Sequence, residues 1–317
     1  MTDHRKHTIA FYNIENLFEA ESAMLETTYL KWTADRYLKK LKNLGLAMHQ
    51  IGEKETTKHP ALIGIAEVEN VQDLENLTES TYLKPYAYRS VYFSSLDKRG
   101  MNVALLYDAS VFTVTASKAY NIELVDANGD TDYTRDILWV FGTLEGEPIH
   151  ILVNHWPSKR EKETEIKRME AARKVEEIIR DIKQESPDAK FLIMGDFNDG
   201  PDSPSLTYLI EGLQLYNPME QLRSYSRGSL SYERQWHLFD QILLSENFIK
   251  AKTGEWQFET ADIFDASFLK FAKGKHRGKP FRTFLGGNYH GGFSDHFPVY
   301  VTLGYGNNDD TELNGEK

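Results

Sequence analysis

Carboxylate, amide and imidazole side chains stand at the ends of the most apolar runs of this chain. The residues that end such runs are Asn13 in IAFYN, Glu67 in IGIAE, His155 in ILVNH, and Asp196 and Asn198 in FLIMGDFN. Those that precede late apolar runs are Asp240, Asp295 and His296. Any one Asp or Asn in this set is better explained as a turn or capping residue. Their repetition at separate strand ends indicates one shared site instead.

These side-chain types fit one chemistry in particular. Asn13, Glu67 and Asp295 offer hard oxygen ligands, and the chain has no cysteine, which favours Mg²⁺, Mn²⁺ or Ca²⁺ over a structural zinc. His155 and His296 can exchange protons near neutral pH. A cation that neutralises a developing oxyanion, an acid and a base are what phosphoester hydrolysis requires.

Short β-branched and aromatic runs bounded by turn residues predict the strands that position these residues. We predict strands at 8–14, 61–66, 86–93, 102–107, 137–143, 149–154, 190–195, 240–244 and 298–303. Apolar residues at spacings of three and four predict a helix over 29–51 that includes Leu30, Ala34, Leu38, Leu41, Leu44, Met48 and Ile51. A similar stripe through Ile166, Met169, Ala172, Val175, Ile179 and Ile182 predicts a helix over 161–185. Ser203 and Pro204 predict a third helix start.

The mixture of strands and helices along the chain predicts an α/β (α+β) layered fold. The sequence has no internal repeat and no long linker, so we expect a single domain over 1–303. Residues 304–317 are nearly devoid of apolar side chains and are expected to be a disordered tail.

The formal net charge of −11 opposes long-range attraction to nucleic acid or to an anionic membrane. A local basic groove or a bound metal could reverse that field, so a nuclease is not excluded. No apolar run approaches the ~20 residues that a membrane-spanning helix needs. As written, the sequence predicts a cytoplasmic protein; it would be secreted or periplasmic if a signal peptide had been removed. Oligomeric state cannot be inferred from the sequence.

The strings FYNIENLF, IGIAEVEN, RGMNVALLY, TRDIL, VNHWPS, MGDFND, FDQILLS and GGFSDHFPV, in that order, resemble the motif series of a known superfamily. It is the endonuclease/exonuclease/phosphatase superfamily, which includes deoxyribonuclease I, exonuclease III, neutral sphingomyelinases and inositol-polyphosphate 5-phosphatases. GDFN followed by SDH is specific in combination, and the resemblance runs from about residue 8 to 303. It implies a deoxyribonuclease I-like four-layer sandwich, with two packed mixed β-sheets flanked by helices.

The resemblance also implies roles for individual residues. Asn13, Glu67 and Asp295 resemble metal-site residues. Asp196 and Asn198 resemble the pair that positions the nucleophilic water and holds a phosphate oxygen. Asp240 resembles the carboxylate that hydrogen-bonds the final-motif imidazole, His296, and His155 resembles the first catalytic histidine of the deoxyribonuclease I and sphingomyelinase branches. The string HWPS at 155–158 stands where the exonuclease III branch has a tyrosine motif, which argues against an abasic-site repair enzyme.

Basic residues add candidates for substrate contact. Arg135 in TRDIL resembles a phosphate-binding arginine, although a salt bridge to Asp132 or Asp136 explains it almost equally well. Arg160 is a weaker candidate of the same kind. The segment 270–284 is rich in Lys and Arg, although the whole chain is acidic. It is either a loop that binds phosphate groups of the substrate or a solvated loop, and the solvated loop is favoured because charge runs are usually exposed surface. Trp236 near Asp240 is expected to be a core residue.

These observations predict a metal-dependent phosphoester hydrolase, and the favoured hypothesis is a phosphodiesterase or nuclease. A small-molecule or lipid-headgroup phosphatase or phosphodiesterase is the alternative within the same class. A non-catalytic module that binds a phosphate or a partner is the alternative of another class. Retention of so many chemically suitable residues argues against the idle module.

Overall fold

Two six-stranded sheets form the centre of the protein. The computed structural model describes residues 5–19, 32–97, 100–125, 129, 131–159 and 164–306. The strands are β1 (Arg5–Leu17), β2 (Leu62–Val68), β3 (Tyr88–Tyr92), β4 (Asn102–Asp108), β5 (Phe112–Tyr120), β6 (Leu124–Val125), β7 (Thr131–Asp132), β8 (Ile137–Leu144), β9 (Glu147–His155), β10 (Phe191–Asp196), β11 (Leu215–Tyr216), β12 (Leu230–Tyr232), β13 (Gln235–His237), β14 (Asp240–Ser245), β15 (Trp256–Ile263), β16 (Phe284–Leu285), β17 (Asn288–Tyr289) and β18 (Val299–Tyr305). The helices are α1 (Ala34–Gln50), α2 (Glu53–Thr56), α3 (Val71–Thr78), α4 (Thr164–Glu185) and α5 (Pro204–Leu213).

Both sheets are mixed, and each has a parallel pair of strands at its centre. The first sheet has the order β15-β18-β1-β2-β4-β3 and the second the order β11-β14-β10-β9-β8-β5. Strands β1 and β2 are parallel in one sheet, β9 and β10 are parallel in the other, and the remaining neighbours are antiparallel. The carboxyl ends of a parallel pair meet at one edge of the sheet, so each sheet gathers two strand-end residues there.

Alternating side chains on β9, β10 and β14 show how the layers are stacked. One face carries Val153 and Met194 into the core shared with the first sheet. The opposite face carries Leu152 and Ile193 into a second core formed with α4 and α5. The sheets approach closely, because a Cβ added at Gly64 of β2 would lie 2.4 Å from the Met194 sulfur of β10. The predicted four-layer sandwich of two mixed sheets with outer helices is confirmed.

Helix α1 covers the first sheet with one apolar face. Its N-terminus is capped by the Thr33 hydroxyl, which accepts a hydrogen bond from the Arg36 amide. Leu41, Leu44 and Met48 are buried as predicted, but Leu38 is 61% exposed, so that part of the predicted stripe is wrong. The helix turns a lysine, Lys40, into the core instead.

Helix α4 covers the second sheet and ends at Glu185, before Pro187. Its stripe is predicted correctly at Ala172, Val175 and Ile179, but Ile166 is 65% exposed. At the other end of the chain, β18 extends to Tyr305, two residues beyond the predicted domain boundary, and 307–317 lie outside the described residues. None of the helices in the described ranges has the length and apolar character needed to cross a bilayer.

Candidate active site

Three neighbouring strands of the second sheet place three titratable side chains side by side. Asp196 at the end of β10 pairs in register with His155 at the end of β9 and with Asp240 at the start of β14. The three residues lie directly opposite one another on adjacent strands, so their side chains are neighbours on the same face of the sheet. All three are buried. A polar row this deep is stable only if its members satisfy one another or a ligand.

The rim of the first sheet supplies His296, which lies just before β18. Its Nδ1 is 2.7 Å from Asp240 Oδ2, so the two sheets are joined at the rim by this hydrogen bond. Burial would lower the pKa of His296, but the adjacent Asp240 and Asp196 carboxylates raise it well above its usual range. The two carboxylates therefore favour the protonated ring, whose Nε2 is directed towards Asp196.

Asp196 lies at the centre of a cluster that it forms with His155, Asp240 and His296. Its Oδ2 accepts a hydrogen bond from Asn13 Nδ2 at 3.0 Å, and its Oδ1 accepts one from the Asn198 amide at 2.9 Å. The same Oδ2 lies 3.8 Å from His155 Nε2 and 3.9 Å from His296 Nε2. These two distances exceed a hydrogen bond, and a ligand oxygen placed between the groups could contact all of them. Burial and the nearby Asp240 raise the pKa of Asp196 to about 7.

Asn198 is held in an unusual backbone conformation. Its φ of 50° lies in the left-handed region, which asparagine tolerates better than most residues. Its side-chain amide donates to the Trp156 carbonyl at 2.9 Å, which ties the turn after β10 to the turn after β9. This contact places Asn198 beside both Asp196 and His155.

Glu67 and Asn13 lie on the parallel pair of the first sheet. Glu67 has a φ of 71°, where a β-branched or bulky residue would be strained, and its Oε2 accepts the Asn16 amide at 3.0 Å. Its Oε1 lies 3.9 Å from His155 Nε2. The side-chain oxygen Oδ1 of Asn13 accepts a hydrogen bond from the Glu15 amide at 3.1 Å. The predicted metal-site residues of the first sheet, Asn13 and Glu67, thus face Asp196 and His155 of the second sheet.

Asp295, the third predicted metal-site residue, pairs with a cation. Its Oδ2 lies 2.9 Å from Arg282 Nη2. Burial would raise the pKa of Asp295, but Arg282 and then His296 lower it below its usual range. Asp295 therefore remains a carboxylate next to the cluster.

A buried charged network behind this rim was missed by sequence reasoning. Lys40 of α1 donates to the Glu15 carbonyl, the Thr283 hydroxyl at 2.6 Å and the Phe293 carbonyl at 2.5 Å. Glu15 accepts Arg282 Nε at 2.9 Å and the Thr283 amide at 2.7 Å. Two signals were available: Glu15 lies two residues after Asn13 on the same strand, and Lys40 falls on the apolar stripe of α1.

The donor set fits a hard divalent cation. Carboxylates crowd the rim, and burial raises the pKa values of both Asp196 and Glu15. Nearby carboxylates, Asp240 for the former and Asp295 for the latter, add to that rise, so a cation would relieve the excess of negative charge. Asp196, Asp240 and His296 also offer ligand atoms within 4.8 Å of one another. This trio differs from the predicted set of Asn13, Glu67 and Asp295.

Arg135 is buried at the same end of the second sheet. The β8–β9 register pairs Leu138 with Val153, which puts Arg135 close to the end of β9. Its Nε lies 3.3 Å from Asp97 Oδ1, so the alternative of a surface salt bridge to Asp132 or Asp136 is wrong. Arg160, the other predicted phosphate-binding arginine, lies outside the described residues.

The basic segment 270–284 has both buried and exposed cations. Lys270 pairs with Asp265 at 2.6 Å, and Arg282 pairs with Glu15 and Asp295. Side chains of Lys273, Lys275 and Arg277 are exposed. Trp236 is half-buried and stacks on Phe297 with ring centroids 6.0 Å apart, so it packs on the core while also lining a cleft beside Asp240.

The family model described as the Endonuclease/Exonuclease/phosphatase family matches residues 8–304. The chain belongs to this family, whose members are phosphoester hydrolases that generally depend on a divalent metal. A search of curated proteins finds no match.

Solved structures with the same fold have low sequence identity. An endonuclease/exonuclease/phosphatase family protein from Bacteroides thetaiotaomicron has a TM-score of 0.63 and 15% identity over 96% of this chain and 97% of that one. A mannosyl-6-phosphatase from the same organism has a TM-score of 0.60 and 17% identity over 94% and 99%. The human nocturnin catalytic domain, solved with a bound sulfate anion, has a TM-score of 0.59 and 17% identity over 96% of each chain. These likenesses show the fold.

Proposed function

We propose that the protein is a divalent-metal-dependent phosphodiesterase of the nuclease type. The observation that carries the proposal is the approach of two imidazole Nε2 atoms to one oxygen of Asp196, at 3.8 and 3.9 Å. A tetrahedral phosphate needs donors and acceptors on several sides at once, and this arrangement offers both within a buried site. The sulfate anion held by the nocturnin domain supports an oxyanion-binding fold of this kind.

Each residue of the cluster has a separate role in the proposed hydrolysis. Asp196, whose Oδ1 is fixed by the Asn198 amide, orients and deprotonates the attacking water. Asn198 holds a phosphate oxygen beside it. His296, kept protonated by Asp240, donates a hydrogen bond or a proton to the phosphate oxygens. His155 shares the acid–base work from the opposite side of Asp196.

Glu67, Asn13 and Asp295 would hold the cation, with Mg²⁺ as the first choice and Mn²⁺ or Ca²⁺ as alternatives. When bound, the cation would neutralise charge that develops on the phosphoryl oxygens. Arg135 is the candidate for a further phosphate contact, because its guanidinium is buried near the end of β9. Arg160 remains a sequence-based candidate for the same task.

The substrate class separates the proposed nuclease-type enzyme from its alternative. Lys273, Lys275 and Arg277 are exposed in the segment that leads to Arg282 at the rim, and they favour a polyanion. The mannosyl-6-phosphatase among the structural neighbours favours a small phosphate ester instead. Both alternatives require the same catalytic cluster, so they differ only in what surrounds the scissile phosphate.

Substrate profiling tests the proposal. Purified protein with Mg²⁺, and with EDTA as the matched control, would be assayed on plasmid DNA, RNA, bis(p-nitrophenyl) phosphate, inositol phosphates, sphingomyelin and mannose 6-phosphate. Metal-dependent cleavage of the diesters, with slower release from the monoesters, is expected. Cleavage of monoesters alone would favour the small-molecule phosphatase. No cleavage and no Mg²⁺ or Mn²⁺ binding by calorimetry would favour a non-catalytic module.

A further inference from the structure

A cleft of about 830 Å³ is lined by residues of the segments that follow β9 and β10 and precede β14 in the second sheet. Gly200 and Phe239, which line it, lie close in the chain to Asn198 and Asp240. Phe239 contacts the turn that follows β10 and carries Asn198, because the Phe239 carbonyl accepts a hydrogen bond from the Phe197 amide at 2.9 Å. A group attached to a phosphate at the cluster can therefore extend into this cleft.

Cations predominate in the cleft, although the whole chain is acidic. Lys159, Arg223 and Arg234 line it together with one carboxylate, Asp202. Asp202 is occupied by an ion pair with Arg223, and Lys159 pairs with the buried Asp199 at 2.9 Å. Arg234 is exposed and has no carboxylate within ion-pair distance among the described residues. The guanidinium of Arg234 is thus available to an external anion.

Aromatic side chains complete the lining. Tyr225 is fully exposed, with a relative accessibility of 106%, at the rim of the cleft. Trp236 packs one face on Phe297 and is half-buried. Exposed aromatic rings beside cations suit a planar ring that stacks while its phosphate is neutralised.

We propose that this cleft binds a nucleoside phosphate unit of the substrate, with Arg234 on an additional phosphate and Tyr225 against the base. A polyhydroxy sugar would need several carboxylate or amide groups for its hydroxyls. The lining offers only Asp202, already paired, and Gln235. The proposal rests on the proposed function for the chemistry but concerns recognition, so it can be tested separately.

The first test is binding without turnover. Thymidine 3′,5′-bisphosphate would be titrated by calorimetry into the wild-type protein, the Arg234→Gln variant and the Tyr225→Ala variant. The Arg173→Gln variant, which alters an exposed arginine on α4, is the matched control. We expect each cleft variant to bind about 10-fold more weakly, the loss of roughly one charge-assisted or stacking contact. The control should bind as the wild type does.

The second test compares substrates that differ only beyond the scissile bond. The p-nitrophenyl ester of thymidine 5′-phosphate, the same ester carrying a 3′-phosphate, and methyl p-nitrophenyl phosphate would be assayed with Mg²⁺. Arg234→Gln should reduce the kcat/KM preference for the 3′-phosphate about 10-fold, and Tyr225→Ala should reduce the preference for thymidine over methyl.

Two results would overturn the inference: wild-type binding of mannose 6-phosphate as tight as that of the bisphosphate, or cleft variants with wild-type affinity and preference. Failure of the proposed function looks different, because none of the three esters would then be hydrolysed, while the binding titration still decides the role of the cleft.

Discussion

Asp240 Oδ2 lies 2.7 Å from His296 Nδ1, and this contact joins the two sheets at the rim where the proposed catalytic side chains meet. Asp240 comes from β14 of the second sheet, whereas His296 precedes β18 of the first. The hydrogen bond fixes the imidazole so that Nε2 is directed towards Asp196. A carboxylate in this position both orients the ring and stabilises its protonated form.

Replacement of Asp240 by asparagine tests this relationship. The side chain keeps its shape but loses the charge that holds His296 protonated, so we expect kcat to fall about 100-fold or more. The measurement is steady-state hydrolysis of bis(p-nitrophenyl) phosphate with Mg²⁺, accompanied by a thermal melt to verify folding. A variant with kcat within threefold of the wild type would show that His296 needs no such partner.

Glu67→Gln tests the proposed metal site. The amide preserves the size of the side chain and the left-handed backbone, but it lacks the negative charge that a hard cation prefers. Calorimetric titration with Mg²⁺ or Mn²⁺ should give affinity at least about 10-fold weaker than in the wild type. Glu69→Gln is the neighbouring control, and equal affinities for all three proteins would place the cation elsewhere.

Lys40→Met tests the buried network behind the site. The substitution removes the ammonium group from three buried acceptors while retaining most of the side-chain volume, so the free energy of unfolding should fall by about 3 kcal/mol. Lys39→Met alters the exposed neighbour on the same helix and should change it by no more than about 0.5 kcal/mol. Urea denaturation of both variants would measure the difference; similar losses would deny Lys40 its structural role.

His150 makes stability depend on pH. Burial lowers the pKa of His150 to about 4, and Trp139 Nε1 donates to its Nδ1 at 3.1 Å, a bond that requires the neutral ring. The unfolded chain binds this proton near pH 6.5, so protons favour unfolding as the pH falls from 6.5 towards 4. The contribution lost between pH 7.5 and pH 5 is about 2 kcal/mol.

Urea denaturation at both pH values checks this expectation. His150→Phe should remove that part of the pH dependence, because its ring can join the stack with Phe141 and Phe191 without titrating. His290→Gln, at an exposed position, should retain it. An unchanged slope in His150→Phe would assign the acid sensitivity to other groups.

Sequence patterns within single segments of the chain predicted most of the strands and long helices. The nine predicted strands all correspond to strands of the two sheets, because apolar runs between turn residues mark buried strands directly. Strands β5 and β15 were missed, since FTVTASKAY and WQFETADI mix polar and apolar residues on half-exposed edge strands. Helix α3 was also missed, because an eight-residue helix is too short for a clear periodicity.

The site was less accessible to sequence reasoning wherever it depends on contacts between distant segments. The strand-end rule and the family motifs pointed to Asp196, Asp240 and His296, which lie together. The same reasoning could not show that Lys40 crosses to Thr283 or that Arg135 pairs with Asp97. Those partners are set by how the layers pack, which no local pattern records.

The most direct test of the account is turnover by the Asp196→Asn variant. Hydrolysis of bis(p-nitrophenyl) phosphate with Mg²⁺ would be compared in the wild type, Asp196→Asn and the exposed-site control His290→Gln. We predict EDTA-sensitive activity in the wild type and the control, and a loss of about 10²- to 10⁴-fold in Asp196→Asn with its fold intact. Activity of Asp196→Asn close to that of the wild type would contradict the central role given to this carboxylate.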